Sequence, residues 1–150
     1  MRCYHFGNMY LSSIQQGIQA AHAQMELFIK YSRVYQPDEF GYIQNVKLFD
    51  WAENYKTMIC LDAGHNKELN DIEEFLSNTE NPYPWATFRE SSEALGGILT
   101  NIAIILPEEI YGEFVDVDAD VYKSELGWRS RYSKFEQELI RMKNKYRLAK

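Results

Sequence analysis

Four side chains near the start of the chain fall at the spacing of one helix face and could hold a polar ligand. Steps of four, three and four residues match the period of an α-helix for Gln15, Gln19, His22 and Glu26. Amides and an imidazole can hydrogen-bond a polar substrate, and the helix N-terminus adds a dipole that favours anions. A solvated polar face is the alternative interpretation, because amphipathic helices usually carry one.

A second polar cluster, Arg89 to Ser92, follows a predicted strand. The carboxylate of Glu90 at a strand end suits general acid–base catalysis. Arg89, Ser91 and Ser92 would then bind a polar ligand, since ligands of open α/β sheets commonly lie at strand ends. An ordinary polar loop is the alternative interpretation.

Other catalytic motifs are absent from the sequence. The three histidines, His5, His22 and His65, have no partners at the spacing of zinc ligands, so we expect no metal site. The chain has no P-loop, no dinucleotide-binding glycine fingerprint and no serine nucleophile elbow. We therefore expect no cofactor.

Three segments resemble motifs of the type 2 peptidyl-tRNA hydrolase family. The segment QQGIQAAHA, residues 15–23, resembles the family's first helix, with Gln19 at the family glutamine and His22 at the family histidine. The segment YPWATFRE, residues 83–90, is similar to a family strand that ends in arginine-aspartate, which puts Glu90 at the catalytic aspartate. The segment GGILTNIAIILPEEI, residues 96–110, resembles the last strand with its following proline and helix.

The resemblance implies an esterase that cleaves peptidyl-tRNA, with Glu90 and His22 as catalytic residues and tRNA as partner. Three features depart from the family. The family lysine falls on Gln15, the aspartate is a longer glutamate, and the loop after it is shorter and has no clear counterpart of the family threonine. Loss of a catalytic cation typically slows a reaction on the order of 100-fold or more.

The elements that must position these residues alternate between strands and helices. Four strands are predicted, at Arg2–Tyr10, Thr57–Leu61, Trp85–Arg89 and Ile98–Leu106. Predicted helices run to about Tyr31, around Leu48–Glu53, after Asn66, after Pro107 and near the C-terminus. This order predicts an α/β fold, a three-layer sandwich with a mixed four-stranded sheet plus a C-terminal helix.

An apolar stripe along the first helix is predicted to face the core. Its members follow at steps of four, three, four and three residues: Ile14, Ile18, Ala21, Met25 and Phe28. Gly17 lies on the same side and is expected to let the helix approach the sheet closely.

The charge distribution separates an acidic body, residues 1–128, from a basic C-terminal helix, residues 129–150. The chain carries −6 overall, and the last segment holds eight Lys and Arg against two Glu, a net +6 that leaves −12 for the body. An acidic body disfavours extended contact with a large RNA. The apolar stripe of the last helix packs either on the body or against another subunit, and a homodimer is expected.

Composition suits one compact domain. The 150 residues are 45% hydrophobic and 25% charged, which excludes a disordered chain. With no long apolar run and no leader-like segment, we expect no membrane association and a cytoplasmic protein. Cys3 and Cys60 are expected to be reduced thiols rather than a disulfide.

Two further functions compete with hydrolysis. The first is a non-catalytic pocket for a nucleotide-like small molecule, formed by the two polar clusters with the ring of Trp85 or Tyr83. The second is a protein-interaction module that uses the C-terminal helix. Because fold does not fix function, all three hypotheses stay open at this point.

Overall fold

The main sheet has five strands and is mixed. The computed structural model describes residues 1–32, 39–112, 115, 117, 121–124 and 127–149. The strands are β1 (Arg2–Gly7), β2 (Met58–Asp62), β3 (Trp85–Arg89), β4 (Leu99–Leu106), β5 (Val121–Ser124), β6 (Gly127–Ser130) and β7 (Arg147–Leu148). The main sheet has the order β3-β4-β1-β2-β7, with β1 and β2 parallel and the other pairs antiparallel, while β5 and β6 form a separate hairpin.

The α/β class and the four predicted strands are confirmed, but the expected strand count of the sheet is wrong. The additional strand, β7, pairs only Leu148 with Leu61 and Arg147 with Asp62. Two residues show no alternation of apolar and polar side chains, so the sequence carries no period from which this strand could be predicted.

Helices connect the strands. They are α1 (Ser13–Tyr31), α2 (Glu39–Asp50), α3 (Asn66–Leu76), α4 (Ser92–Leu95), α5 (Glu108–Tyr111) and α6 (Lys134–Lys145). A π-helical turn, Trp51–Tyr55, continues α2, so the short helix expected around Leu48–Glu53 is part of a longer helical segment. None of the helices in the described part of the chain is long and apolar enough to cross a bilayer.

Each face of the main sheet packs against its own apolar cluster. On one face, Cys3 of β1 packs with Leu27 of α1 and Trp51 of the π-helical turn. On the other face, Phe6 packs in a larger cluster with Leu69 of α3, and this cluster includes residues of α6. Side chains alternate between the two faces along a strand, which is why neighbouring residues of β1 belong to different clusters.

The buried face of α1 is not the predicted one. Ile14 is 78% exposed, and Ile18 and Met25 are exposed as well. The residues that α1 buries are instead Gln16, Gln19, Ala20, Ala23, Leu27 and Tyr31. Small side chains let a helix approach a sheet closely, and the two alanines take the role that was expected of Gly17, beside which there is open space.

The C-terminal segment packs on the body of the protein. The sequence alone left open whether its apolar stripe packs there or against another subunit. The helix itself, α6, is shorter than residues 129–150, and β7 follows it in the main sheet. Phe135 is buried and stacks on Phe75 of α3, with ring centroids 4.8 Å apart. Leu139 is also buried in this cluster. The apolar stripe of α6 is therefore used inside the protein.

Both cysteines are free thiols, as expected. Cys3 is buried and Cys60 is partly buried.

Candidate active site at the junction of α1 and β3

The first helix lies along the edge strand β3 and contacts it at three levels. Near the C-terminus of α1, the ammonium of Lys30 donates to the carbonyl oxygen of Trp85 over 3.0 Å. In the middle, the ring of His22 stacks on Phe88. Near the N-terminus, the amide nitrogen of Gln19 donates to Oε1 of Glu90 over 2.6 Å. The helix and the strand therefore run antiparallel, and their polar groups meet at the carboxyl end of β3.

Two hydrogen bonds connect the carboxylate of Glu90 to Thr100 through the side chain of Gln19. Gln19 is only 6% exposed, and its Oε1 accepts a hydrogen bond from Oγ1 of Thr100 over 3.0 Å. This contact leaves the amide nitrogen of Gln19 facing Glu90, which is itself partly buried. Buried polar groups that satisfy each other in this way rigidify a site.

The connection from β3 to β4 fixes the backbone at Glu90. The Glu90 amide donates to the carbonyl of Ile98 over 3.0 Å, which closes the loop. Two consecutive glycines, Gly96 and Gly97, have φ values of 66° and 74°, a region that favours glycine. Their amides donate to the carbonyls of Ser92 and Ser91, respectively. The loop that follows the carboxylate is thus a defined turn.

The two serines of this loop lie next to Glu90 in the chain, and both are exposed. Ser92 is the first residue of α4. Their backbone carbonyls accept hydrogen bonds within the turn.

The imidazole of His22 lies one helical turn after Gln19 on the same face of α1. The His22 ring stacks on Phe88 with centroids 4.5 Å apart and an angle of 16° between the planes. His22 is exposed on α1, whereas Phe88 is partly buried. Stacking orients the ring, and the exposed ring nitrogens can hydrogen-bond a substrate.

Two predicted site residues lie outside this group. Gln15 is the third residue of α1 and accepts hydrogen bonds from the backbone amide and the hydroxyl of Ser12, which forms a capping box. Arg89 forms an ion pair with Glu73 of α3. Successive side chains of a strand point to opposite faces, and so Arg89 lies on the α3 side while Glu90 faces α1.

A small cavity lies further along the contact between α1 and β3. It has a volume of about 280 Å³ and is lined by Glu26, Ile29, Lys30, Trp85, Ala86 and Thr87. The Lys30 ammonium lies 4.2 Å from the centre of the Trp85 ring. Glu26, which was expected in the polar row with Gln19, lines this cavity.

A buried Cys-His-Asn row lies deeper on the same side of the sheet. Nδ1 of His5 lies 3.0 Å from Oδ1 of Asn101, and Nε2 lies 3.3 Å from Sγ of Cys3. All three residues are buried, so no substrate reaches them. Burial raises the pKa of the Cys3 thiol and lowers the pKa of His5 to about 4. This row is therefore neutral and structural.

The arrangement is suited to acid–base chemistry. Within the described residues, no group of three His, Cys, Asp or Glu side chains could hold a metal ion. A carboxylate positioned by a hydrogen bond, as Glu90 is by Gln19, can accept and return a proton during hydrolysis of an ester.

Sequence reasoning missed Thr100 and Phe88, which hold Gln19 and His22 in place. A signal for the first was present, because Thr100 and Asn101 are two adjacent polar residues in the most hydrophobic strand of the chain. Both are buried, which is uncommon for polar side chains without a partner.

No known protein-family model matches the chain, and no curated protein matches it either.

Proposed function

We propose that the junction of α1 and β3 hydrolyses an ester of the peptidyl-tRNA type, with Glu90 as general base. The observation that carries this proposal is the 2.6 Å hydrogen bond between Gln19 and Glu90. The two residues are 71 positions apart in the chain, and they belong to segments that resemble the first helix and the catalytic strand of peptidyl-tRNA hydrolases.

In the proposed reaction, Glu90 takes a proton from a water molecule that attacks the ester carbonyl carbon. The resulting tetrahedral intermediate collapses, the bond from carbon to the ribose oxygen breaks, and the proton passes from Glu90 to that leaving oxygen. Proton transfer by a general base such as Glu90 is typically worth roughly 10²- to 10⁴-fold in rate. His22 contributes a hydrogen bond to the substrate. Gln19 is a positioning residue, since it acts through Glu90.

The proposal extends to the family's architecture and setting. The proposed architecture is a three-layer sandwich, with α1 on one face of the sheet and α3 and α6 on the other. The proposed partner is tRNA. A cytoplasmic location, where peptidyl-tRNA occurs, belongs to the same proposal. The homodimer expected from the sequence stays a prediction.

One observation favours binding without turnover as a second candidate. Gln15, at the position of the family lysine, caps α1, and Arg89 is paired with Glu73. Neither residue brings a positive charge to Glu90. In this second candidate, a nucleotide-like small molecule lies against the exposed ring of His22 and extends toward the cavity at Trp85.

The test is release of peptide from peptidyl-tRNA by wild-type protein and by two variants. Glu90→Gln should reduce the rate at least on the order of 100-fold, because the general base is removed. Glu93→Gln is the matched control, since it removes the same charge from an exposed position three residues away. Its rate should stay within about 2-fold of wild type, because Glu93 does not belong to the site.

Two outcomes would reject hydrolysis at this site: no release by the wild-type protein, or equal rates for Glu90→Gln and wild type. Calorimetric titration with nucleoside monophosphates then tests the second candidate. That candidate requires saturable binding that is weakened by His22→Ala, and it fails if the heat of mixing is the same for both proteins.

A further inference from the structure

A second cavity lies on the opposite side of the main sheet from α1. It has a volume of about 450 Å³, within the usual range for small-molecule sites. Strands β1, β2 and β7 and the C-terminal part of α6 form it, and its lining consists of Arg2, Tyr4, Ile59, Leu61, Lys143, Asn144, Tyr146 and Leu148. No acidic residue belongs to this lining.

Lys143 is a buried cation without an anionic partner in the described part of the chain. The residue is only 9% exposed, and its ammonium lies 5.5 Å from the centre of the Tyr4 ring. The ion pair found among the described residues joins Arg89 to Glu73. No carboxylate of the described residues therefore lies within 4 Å of the Lys143 ammonium. A lysine at a largely buried position is usually paired with an anion.

Arg2 adds a second positive charge to the same cavity. Burial lowers the pKa of Lys143, and the charge of Arg2 lowers it further. Burial raises the pKa of Tyr4, and the hydrogen bond and charge of Arg2 act in the opposite direction. The Arg2 guanidinium also lies 4.5 Å from the centre of the Tyr111 ring. Both cations therefore converge on Tyr4 and repel each other.

The end of α6 offsets only part of this positive charge. Lys143 and Asn144 are in the last turn of the helix, where the carbonyl groups carry roughly half a negative charge. Two full positive charges thus leave the cavity positive. The remaining wall is apolar and includes Ile59, Leu61 and the exposed side chain of Leu148.

We propose that this cavity binds a small organic anion, a phosphate monoester or a carboxylate, that carries an apolar or aromatic body. Lys143 and Arg2 hold the anionic group, and the apolar wall with Tyr146 receives the body. The site is independent of the proposed hydrolysis, since its residues face the other side of the sheet from Gln19 and Glu90.

Calorimetric titration at low ionic strength with phenyl phosphate and with benzoate tests this site, and benzyl alcohol serves as the uncharged control. We expect saturable binding of at least one of the two anions and none of benzyl alcohol. The anion that binds more tightly identifies the preferred group. No saturable binding of either anion up to about 10 mM would overturn the proposal.

Lys143→Met and Lys145→Met form a matched pair of variants. Each removes one positive charge from α6, but Lys145 is exposed and does not line the cavity. Lys143→Met should weaken binding at least about 10-fold, the size expected for a charge-assisted hydrogen bond, whereas Lys145→Met should change it less than about 2-fold. Equal losses in both variants would show non-specific attraction and would contradict the site.

A third variant keeps the test decisive if Lys143→Met does not fold. Arg2 is exposed, so Arg2→Gln is expected to leave the fold intact. It should weaken binding of the preferred anion at least about 5-fold, because the second cation of the cavity is lost. Unchanged affinity in Arg2→Gln would overturn the assignment of the anionic group to this pair.

Discussion

Individual buried polar residues on the two sides of the main sheet differ in whether they have partners. On the α1 side, Gln19 connects Glu90 to Thr100 by hydrogen bonds, and His5 pairs with Asn101. On the α6 side, Lys143 is buried without a carboxylate among the described residues within reach.

This difference is the reason why different functions are proposed for the two sides. A network whose members satisfy each other is organised before any ligand arrives, so it suits positioning of a reactive group. A largely buried cation without a counter-charge gains stability when an anion binds beside it. Substitutions on the α1 side should therefore reduce stability, whereas neutralising Lys143 should not.

The largest expected effect on stability is the loss of unfolding free energy at acidic pH that follows from protonation of His5. Burial lowers the pKa of folded His5 to about 4, compared with 6.5 for an ordinary histidine. Between pH 6.5 and about pH 4, His5 is therefore protonated in the unfolded chain but neutral in the folded protein. Stability should fall by about 3 kcal/mol as the pH falls through this window.

Denaturant unfolding between pH 7 and pH 4 measures this loss, with His5→Gln and His22→Gln compared with wild type. The first variant should lack the histidine contribution to the pH dependence, whatever its stability at pH 7. His22 is exposed, so the second variant should keep that contribution. The same pH dependence in wild type and His5→Gln would contradict the account.

A smaller loss is expected when the bridge between Glu90 and Thr100 is removed. Gln19→Leu keeps the approximate size of the side chain but leaves a buried hydroxyl and a carboxylate without their amide partner. The free energy of unfolding should fall by about 2 kcal/mol in urea. Gln15→Leu, the same substitution in the exposed capping box of the same helix, should cost less than about 1 kcal/mol. Equal losses would mean that Gln19 is an ordinary helix residue.

Most of the sheet could be predicted from the sequence, because continuous apolar runs and alternation mark buried strands. The orientation of α1 could not. Ile14, Ile18 and Met25 form the more apolar stripe, yet the helix buries the face that contains Ala23 and Gln19. Burial of Gln19 is favoured only once Glu90 and Thr100 are in place, and these partners are distant in the chain.

The two proposed sites also differ in how far their residues could be predicted from the sequence. Gln19, His22 and Glu90 could be singled out because each belongs to a local pattern or to a segment that resembles a known motif. Arg2 and Lys143 are at opposite ends of the chain and read as ordinary surface charges. Only the pairing of β1 with β2 and the packing of α6 on the sheet bring them together.

The central claim is that Gln19 and Glu90 act as one unit in hydrolysis, and a double-mutant cycle on peptide release from peptidyl-tRNA tests it most directly. Gln19→Leu should slow release about 10-fold and Glu90→Gln at least about 100-fold. If Gln19 acts only through Glu90, the double variant should be no slower than Glu90→Gln alone. A double variant slowed by the product of the two single effects would contradict this claim, as would wild-type release no faster than that in buffer.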